Sequence, residues 1–149
     1  MRRFIKKIKR LIYWIPLLWN SGWWDWEYLI DIMIHQLKYM EDNFKNHGVS
    51  GTSVETSKEI SGVIKLLDGI VNDIYMSEAY DWNYSKYGGT EFYNNGEFGV
   101  SYPDNKTNKT DDEIRDELMN DLEIAESNKS DDLLEALDTM AEKLFGWWD

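Results

Sequence analysis

Cysteine is absent from the 149 residues. That excludes a disulfide scaffold, a thiolate zinc site and a cysteine nucleophile. Histidine is nearly absent: His35 and His47 are the only two, too few for most metal or acid–base machinery. Basic charge is also in short supply, with 28 acidic against 16 basic residues and a formal net charge of −12. A general nucleic-acid binder needs a basic footprint, so no nucleic-acid partner is expected. Long apolar runs are missing as well. The longest, Leu11–Trp19, has nine residues and contains Pro16, far short of the ~20 that cross a bilayer. It follows a basic start in the manner of a signal peptide, yet Asn20-Ser21-Gly22-Trp23-Trp24 supplies no small-x-small cleavage site. The expectation is a cytoplasmic protein with no stable membrane insertion, although the amino-terminal segment retains the pattern of an interfacial helix.

What is present suffices for a folded core. Hydrophobic residues make up 42%, and the length suits a single domain over 1–149. Charge is unevenly distributed. Residues 1–10 hold six cations and no anion, leaving a net of −18 on the remainder. From Asp111 to Asp149 there are 14 acidic residues against Arg115, Lys129 and Lys143. A cationic head on an acidic body can dock internally, pair between subunits or meet an anionic ligand.

Periodicity predicts a mainly α protein, an irregular bundle of about five helices with a small hairpin or irregular insertion near 80–110. Phe4, Ile5, Ile8, Leu11, Ile12 and Ile15 recur at helical spacing over 3–15, and Pro16 is expected to end or kink that helix. A second helix starts near Asp25, with Leu29, Ile32, Met33, Gln36, Leu37, Met40 and Phe44 as a stripe with one polar interruption, and stops near Asn46-His47-Gly48. A third follows Thr52 or Ser53, striped by Val54, Ile60, Ile64, Leu67, Val71 and Ile74. Its Gly62 and Gly69 suggest close packing. Residues 80–110 lose helical period, and Asn95-Gly96 between Glu91-Phe92-Tyr93 and Glu97-Phe98-Gly99-Val100 is a hairpin signal. Thr110 to Glu113 reads as a capping box opening a fourth helix striped by Ile114, Leu118, Leu122 and Ala125. Ser127-Asn128-Lys129 reads as its end, and Ser130 as the cap of a fifth helix striped by Leu133, Leu134, Leu137, Met140, Ala141 and Leu144.

The catalytic inventory is thin. No P-loop, Gly-rich strand-to-helix turn, His-Glu-x-x-His or nucleophile elbow is present. Asp31 and His35 share a helix face but read as a surface pair, since nothing supplies a third ligand. The paired carboxylates Asp111-Asp112 and Asp131-Asp132 read as helix-dipole residues. The chain is therefore expected to be no enzyme and to carry neither metal nor cofactor.

Tryptophan is the unusual abundance. Five of the eight, Trp14, Trp19, Trp23, Trp24 and Trp26, fall within thirteen residues, and Trp147-Trp148 end the sequence. One reading is an aromatic mini-core in which Trp147 and Trp148 pack near Trp14, Trp19 and Trp24. The other is a pocket whose indole faces stack on a planar ligand beside phosphate-binding cations.

Trp14-Ile15-Pro16-Leu17-Leu18-Trp19, Trp24-Asp25-Trp26, Tyr28-Leu29, Leu37-Lys38-Tyr39-Met40 and the ending Gly146-Trp147-Trp148-Asp149 resemble motifs of a group of small tailed-phage proteins. The resemblance covers both ends of the chain, while the Tyr- and Gly-rich middle has no counterpart in it. It implies a phage origin and an action inside an infected host cell.

These features give one functional expectation: a counter-defence protein that sequesters a small anionic, nucleotide-type immune signal without cleaving it. Trp24 and Trp26 would offer stacking faces and Lys38 a charge. Arg2, Arg3, Lys6 and Arg10 would form a phosphate-attracting rim. Asp25 could accept from a base or ribose, its N-cap role being the simpler one. The alternatives are an acidic protein–protein inhibitor that mimics nucleic acid through residues 111–142, and a structural or assembly accessory protein. Opposite charge on head and body, with surplus aromatic surface, points to a homo-oligomer, most simply a dimer.

Overall fold

The structure, a computed structural model, describes residues 2–20, 25–47, 53–94 and 98–147; the side chains of Arg2, Arg3, Asn20, His47 and Phe98 are outside that description. It is mainly α. Five helices, α1 (Arg2–Asn20), α2 (Trp26–His47), α3 (Ser53–Val71), α4 (Ile74–Tyr87) and α5 (Asp111–Lys143), accompany one hairpin of β1 (Glu91–Asn94) and β2 (Phe98–Ser101). Among the described residues no helix is long and apolar enough to cross a membrane.

The chain divides into two compact units, residues 1–71 with 139–149, and residues 72–138. In the first unit, α2 and α3 pack against each other. Ile30, Ile34, Leu37 and Met40 recur every three or four residues on α2, and Ile60, Val63, Ile64, Leu67 and Ile70 do so on α3; all nine are buried. That placement revises the expected stripes, because Leu29 and Val54 lie on the exposed sides of their helices. Asp25 caps α2: its carbonyl accepts from Tyr28 N at 3.2 Å and its Oδ1 from Glu27 N at 3.4 Å. Gly69 is buried, in line with close packing, whereas a Cβ at Gly62 would meet nothing within 4 Å.

Helix α1 departs most from expectation. It continues through Pro16 to Asn20. Its apolar stripe is also not its packed face: Phe4, Ile5, Ile8, Leu11, Ile12, Ile15, Leu18 and Trp19 are all exposed. Contact with α2 runs instead through Tyr13, whose hydroxyl donates to the His35 carbonyl at 3.0 Å, and through Trp14, whose ring lies 4.7 Å from that of His35. At the other end of the sequence, Trp147 is 3% exposed and donates Nε1–H to Glu59 Oε2 on α3 at 2.9 Å. The tail is thus anchored on α3, and Trp19 stands in solvent rather than beside it; Trp24 and Trp148 lie outside the described residues.

The second unit opens at Asp73, which has a left-handed backbone (φ 50°) and accepts from Lys129 Nζ at 2.7 Å. Helix α4 then occupies part of the segment expected to be irregular. The hairpin is present, pairing Glu91 with Ser101 and Asn94 with Phe98; its expected Asn-Gly turn falls outside the described residues. Tyr93 lies over its cross-strand partner Gly99, where an added Cβ would collide with the phenol ring. Gly88, at φ +82°, leaves α4 in a conformation that disfavours a Cβ, and one there would sit 2.5 Å from Asp104 Cβ.

Helix α5 begins with the anticipated reciprocal cap. Thr110 N donates to Glu113 Oε2 at 2.8 Å, and Glu113 N to Thr110 Oγ1 at 3.3 Å. It does not end at Ser127-Asn128-Lys129. Those residues cost only tenths of a kcal/mol each in a helix, so without Gly or Pro the helix runs on and Ser130 is interior. Tyr87, Tyr102 and Ile114, with Val100 against them, form the unit's small core. Above it Glu117 gathers three donors: Lys109, Lys86 and, at 2.7 Å, the Tyr87 hydroxyl. Lys109, then Lys86, then Tyr87 hold the Glu117 carboxyl down to about 2.

Candidate functional site

The polar side of α1 and the carboxyl-terminal half of α2 enclose a cleft of about 820 Å³. Helix α1 contributes Lys6, Lys7, Lys9, Arg10 and Tyr13; α2 contributes Tyr39, Asp42 and Asn43. Helical spacing explains the set. Lys6, Arg10 and Tyr13 follow one another at four and three residues, with Lys9 three after Lys6, and Tyr39 and Asn43 are four apart, so each group projects from one side of its helix.

Electrostatics in the cleft favour an anion. Among the described residues, Lys6, Lys7, Lys9 and Arg10 form no salt bridge. Arg10 instead addresses Tyr39, its guanidinium carbon 5.8 Å from the ring centroid. A hydrogen bond from Arg10, reinforced by Asn43 and by the charges of Arg10 and Lys6, lowers the Tyr39 phenol below its ordinary value. Tyr13 moves the other way, raised chiefly by burial and then by the Asp42 carboxylate. Behind the cleft, the His35 ring stacks 3.9 Å from Tyr13, and its buried Nε2 has no partner among the described residues. This replaces the expected Asp31–His35 surface pair: the imidazole packs among aromatic rings of α1.

The expected ligand residues are only partly brought together. Lys6 and Arg10 line the cleft. Lys38 points toward α3, where it pairs with Asp68 at 3.2 Å. Asp25 and Trp26 stand at the start of α2, thirteen residues before Tyr39, or about 20 Å along the helix at 1.5 Å per residue. One small ligand cannot span that distance, so Asp25 acts as a cap and Trp26 has no part in this cleft. Trp24 and the side chains of Arg2 and Arg3 lie outside the described residues. Sequence reasoning missed Lys7, Lys9, Tyr13, Tyr39, Asp42 and Asn43. The available signal was Tyr13 itself, an aromatic residue set among cations on the side of α1 opposite its apolar stripe.

Chemically, the cleft can hold phosphate or carboxylate with its cations, place a planar ring against a phenol and accept a hydrogen bond at Asp42. No protein-family model, curated protein or solved structure matches the chain.

Proposed function

We propose that the protein binds and holds a small anionic molecule of nucleotide type in the cleft between α1 and α2, without turning it over. One observation carries the reading: four cations that pair with no described carboxylate line the same cleft as two tyrosines. Lys6, Lys9 and Arg10 neutralise the phosphate, Tyr39 or Tyr13 covers the base, and Asp42 takes the accepting role first expected of Asp25. A polybasic, acid-poor cleft on a protein of net charge −12 also concentrates the anion locally. The phage-type motifs support sequestration of a host nucleotide signal, in the cytoplasm of an infected cell, as the biological setting. Thermal shift and calorimetry against a panel of linear and cyclic nucleotides test it. Binding that Lys6→Glu/Arg10→Glu abolishes, with the ligand recovered chemically intact after heat denaturation, supports the reading. A cleaved product would make the protein an enzyme.

Self-association belongs to the same proposal. The eight apolar side chains of α1 turned to solvent exceed what scattered surface residues explain. A second copy is the occupant favoured by charge: the basic head is attracted to an acidic body of net −18, whereas an anionic membrane would repel that body. Light scattering at micromolar concentration should give a multiple of 17.7 kDa, and Ile8→Glu/Ile12→Glu should give the monomer.

The acidic-inhibitor alternative finds its observation in α5, which opens with exposed Asp111, Asp112 and Glu113. It becomes the preferred reading if no nucleotide shifts the melting temperature while a basic host protein binds in a salt-sensitive manner.

A further inference from the structure

The 72–138 unit contains a cavity of about 490 Å³, unconnected with the function proposed above. Three elements bound it: α4 through Tyr84 and Asn83, the hairpin region through Phe92 and Tyr102, and α5 through Leu118 and Met119. Its size lies within the range of small-molecule sites, and its lining is the usual mixture of aromatic and aliphatic surface with few polar groups.

One of those polar groups is anomalous. Asn83 is 4% exposed, and its Nδ2 has no hydrogen-bond partner among the described residues. A buried amide donor left unmade carries a desolvation penalty that native structures seldom tolerate. Leucine or methionine would fill the same space on α4 without that penalty. The residue is therefore poorly accounted for by packing; it lines the cavity, its Nδ2 is shielded from solvent as the side chain stands, and a half-turn of the amide brings that donor to an acceptor arriving from the cavity. Around it, Tyr84 and Phe92 present rings at the cavity mouth while Tyr102 is buried at its floor. Asp81 is the one charged side chain in the lining, and it opposes an anionic guest.

We propose that this cavity binds an uncharged, planar aromatic compound carrying a carbonyl-type acceptor, which receives the hydrogen bond from Asn83 Nδ2. The ring system lies between the hairpin and α5, and the carbonyl oxygen selects for such compounds over plain hydrocarbons. The site is separate in chemistry from the basic α1–α2 cleft: that one takes anions, this one neutral rings.

Coumarin serves as the probe and naphthalene, a two-ring hydrocarbon without an acceptor, as its control. The full chain is titrated with each while the side-chain amide signals of Asn83 are followed by NMR, their assignment fixed by their loss in Asn83→Leu. Coumarin should shift those signals and bind about fivefold more tightly than naphthalene, the difference one hydrogen bond to an unsatisfied donor provides. Asn83→Leu should equalise the two affinities and raise the melting temperature of the free protein. Met119→Lys, on the exposed wall of the cavity, should weaken both compounds at least tenfold while leaving the fold's spectrum intact. The proposal is overturned by equal affinities in the parent protein, by an Asn83 amide that does not move at about 2 mM coumarin, or by discrimination that survives Asn83→Leu. Loss of melting temperature in Asn83→Leu also counts against it, because the amide would then have a native partner.

Discussion

Trp147 lies at the carboxyl-terminal end of the described chain, yet the structure gives it a core residue's environment. Replacing it with alanine tests whether the tail is part of the fold. An indole buries roughly 150–250 Å², which at about 25 cal/mol per Å² amounts to ~4–6 kcal/mol, an upper bound because the unfolded chain already hides some of that area. Measured aromatic truncations suggest ~3–5 kcal/mol. The polar handle separates out. Trp147→Phe keeps most of the apolar contact but removes the bond to Glu59 at 2.9 Å, and should cost ~1–2 kcal/mol. Glu59→Ala strips the same bond from the other side and also releases Lys143, 3.4 Å away. Urea denaturation of both single variants and the double variant completes a cycle. The two losses should fall short of additive by about 1 kcal/mol, the worth of the shared bond. The indole bond, ahead of Lys143, also lowers the Glu59 carboxyl. Its contribution is therefore present above the ordinary carboxylate range and fades as pH falls below it. A cost under 1 kcal/mol for Trp147→Ala, or strictly additive single variants, would refute this view of the tail.

Other expectations follow from single contacts. Glu117→Gln should destabilise the protein by roughly 1–2 kcal/mol at neutral pH, since three donors converge on a partly exposed carboxylate. Because the Glu117 carboxyl lies near 2 in the fold and higher when unfolded, the deficit should be full above about pH 5 and shrink as pH drops toward 2, readable in denaturation midpoints. Gly62→Ala should raise stability by about 0.5–1 kcal/mol, as the site is helical and open; a fall in melting temperature would reveal a neighbour at that position. Tyr75, pushed up to about 12 by burial and by the Asp132 carboxylate that accepts its hydrogen bond, should remain un-ionised at pH 11 in an ultraviolet titration. Asp132→Asn should bring that titration down.

The fold was legible where one physical signal dominated. The Thr110–Glu113 cap and the Asn-Gly hairpin require particular residues at fixed offsets, so those residues located the start of α5 and the strands. Periodicity located α1, α2 and α3; it found the packed side of α3 through Ile60, Ile64 and Leu67 and that of α2 through Leu37 and Met40, and misjudged the side of α1. On α1 the strongest apolar stripe is exposed, because Tyr13 and Trp14 on the basic side meet His35 and Tyr39 of α2. Hydropathy alone ranks isoleucine above tyrosine and could not show that. The misplaced break at 127–129 overrated local polarity, which helix propensity barely penalises. The Tyr-rich stretch 74–87 has no apolar period, so its helix could not be read from pattern; Asn83 and Tyr87 are its buried residues.

The site was half legible. Six cations in ten residues marked the basic element, and an aromatic partner for it was foreseen. Tryptophan was named as that partner because of its abundance, whereas tyrosines from both helices fill the role. Lys38 and Tyr39 are neighbours in sequence but about 100° apart around α2, which turns one to Asp68 and the other to Arg10.

The central claim is that the α1–α2 cleft binds a nucleotide-type anion and leaves it intact. Calorimetric titration of the full chain with a panel of linear and cyclic nucleotides, at 50 and 200 mM salt, tests it most directly. At least one nucleotide should bind, weaken at the higher salt because phosphate contacts dominate, be lost in Lys6→Glu/Arg10→Glu, and be recovered unchanged after denaturation. No heat from any nucleotide at either salt, or binding that the double variant leaves untouched, would contradict the account.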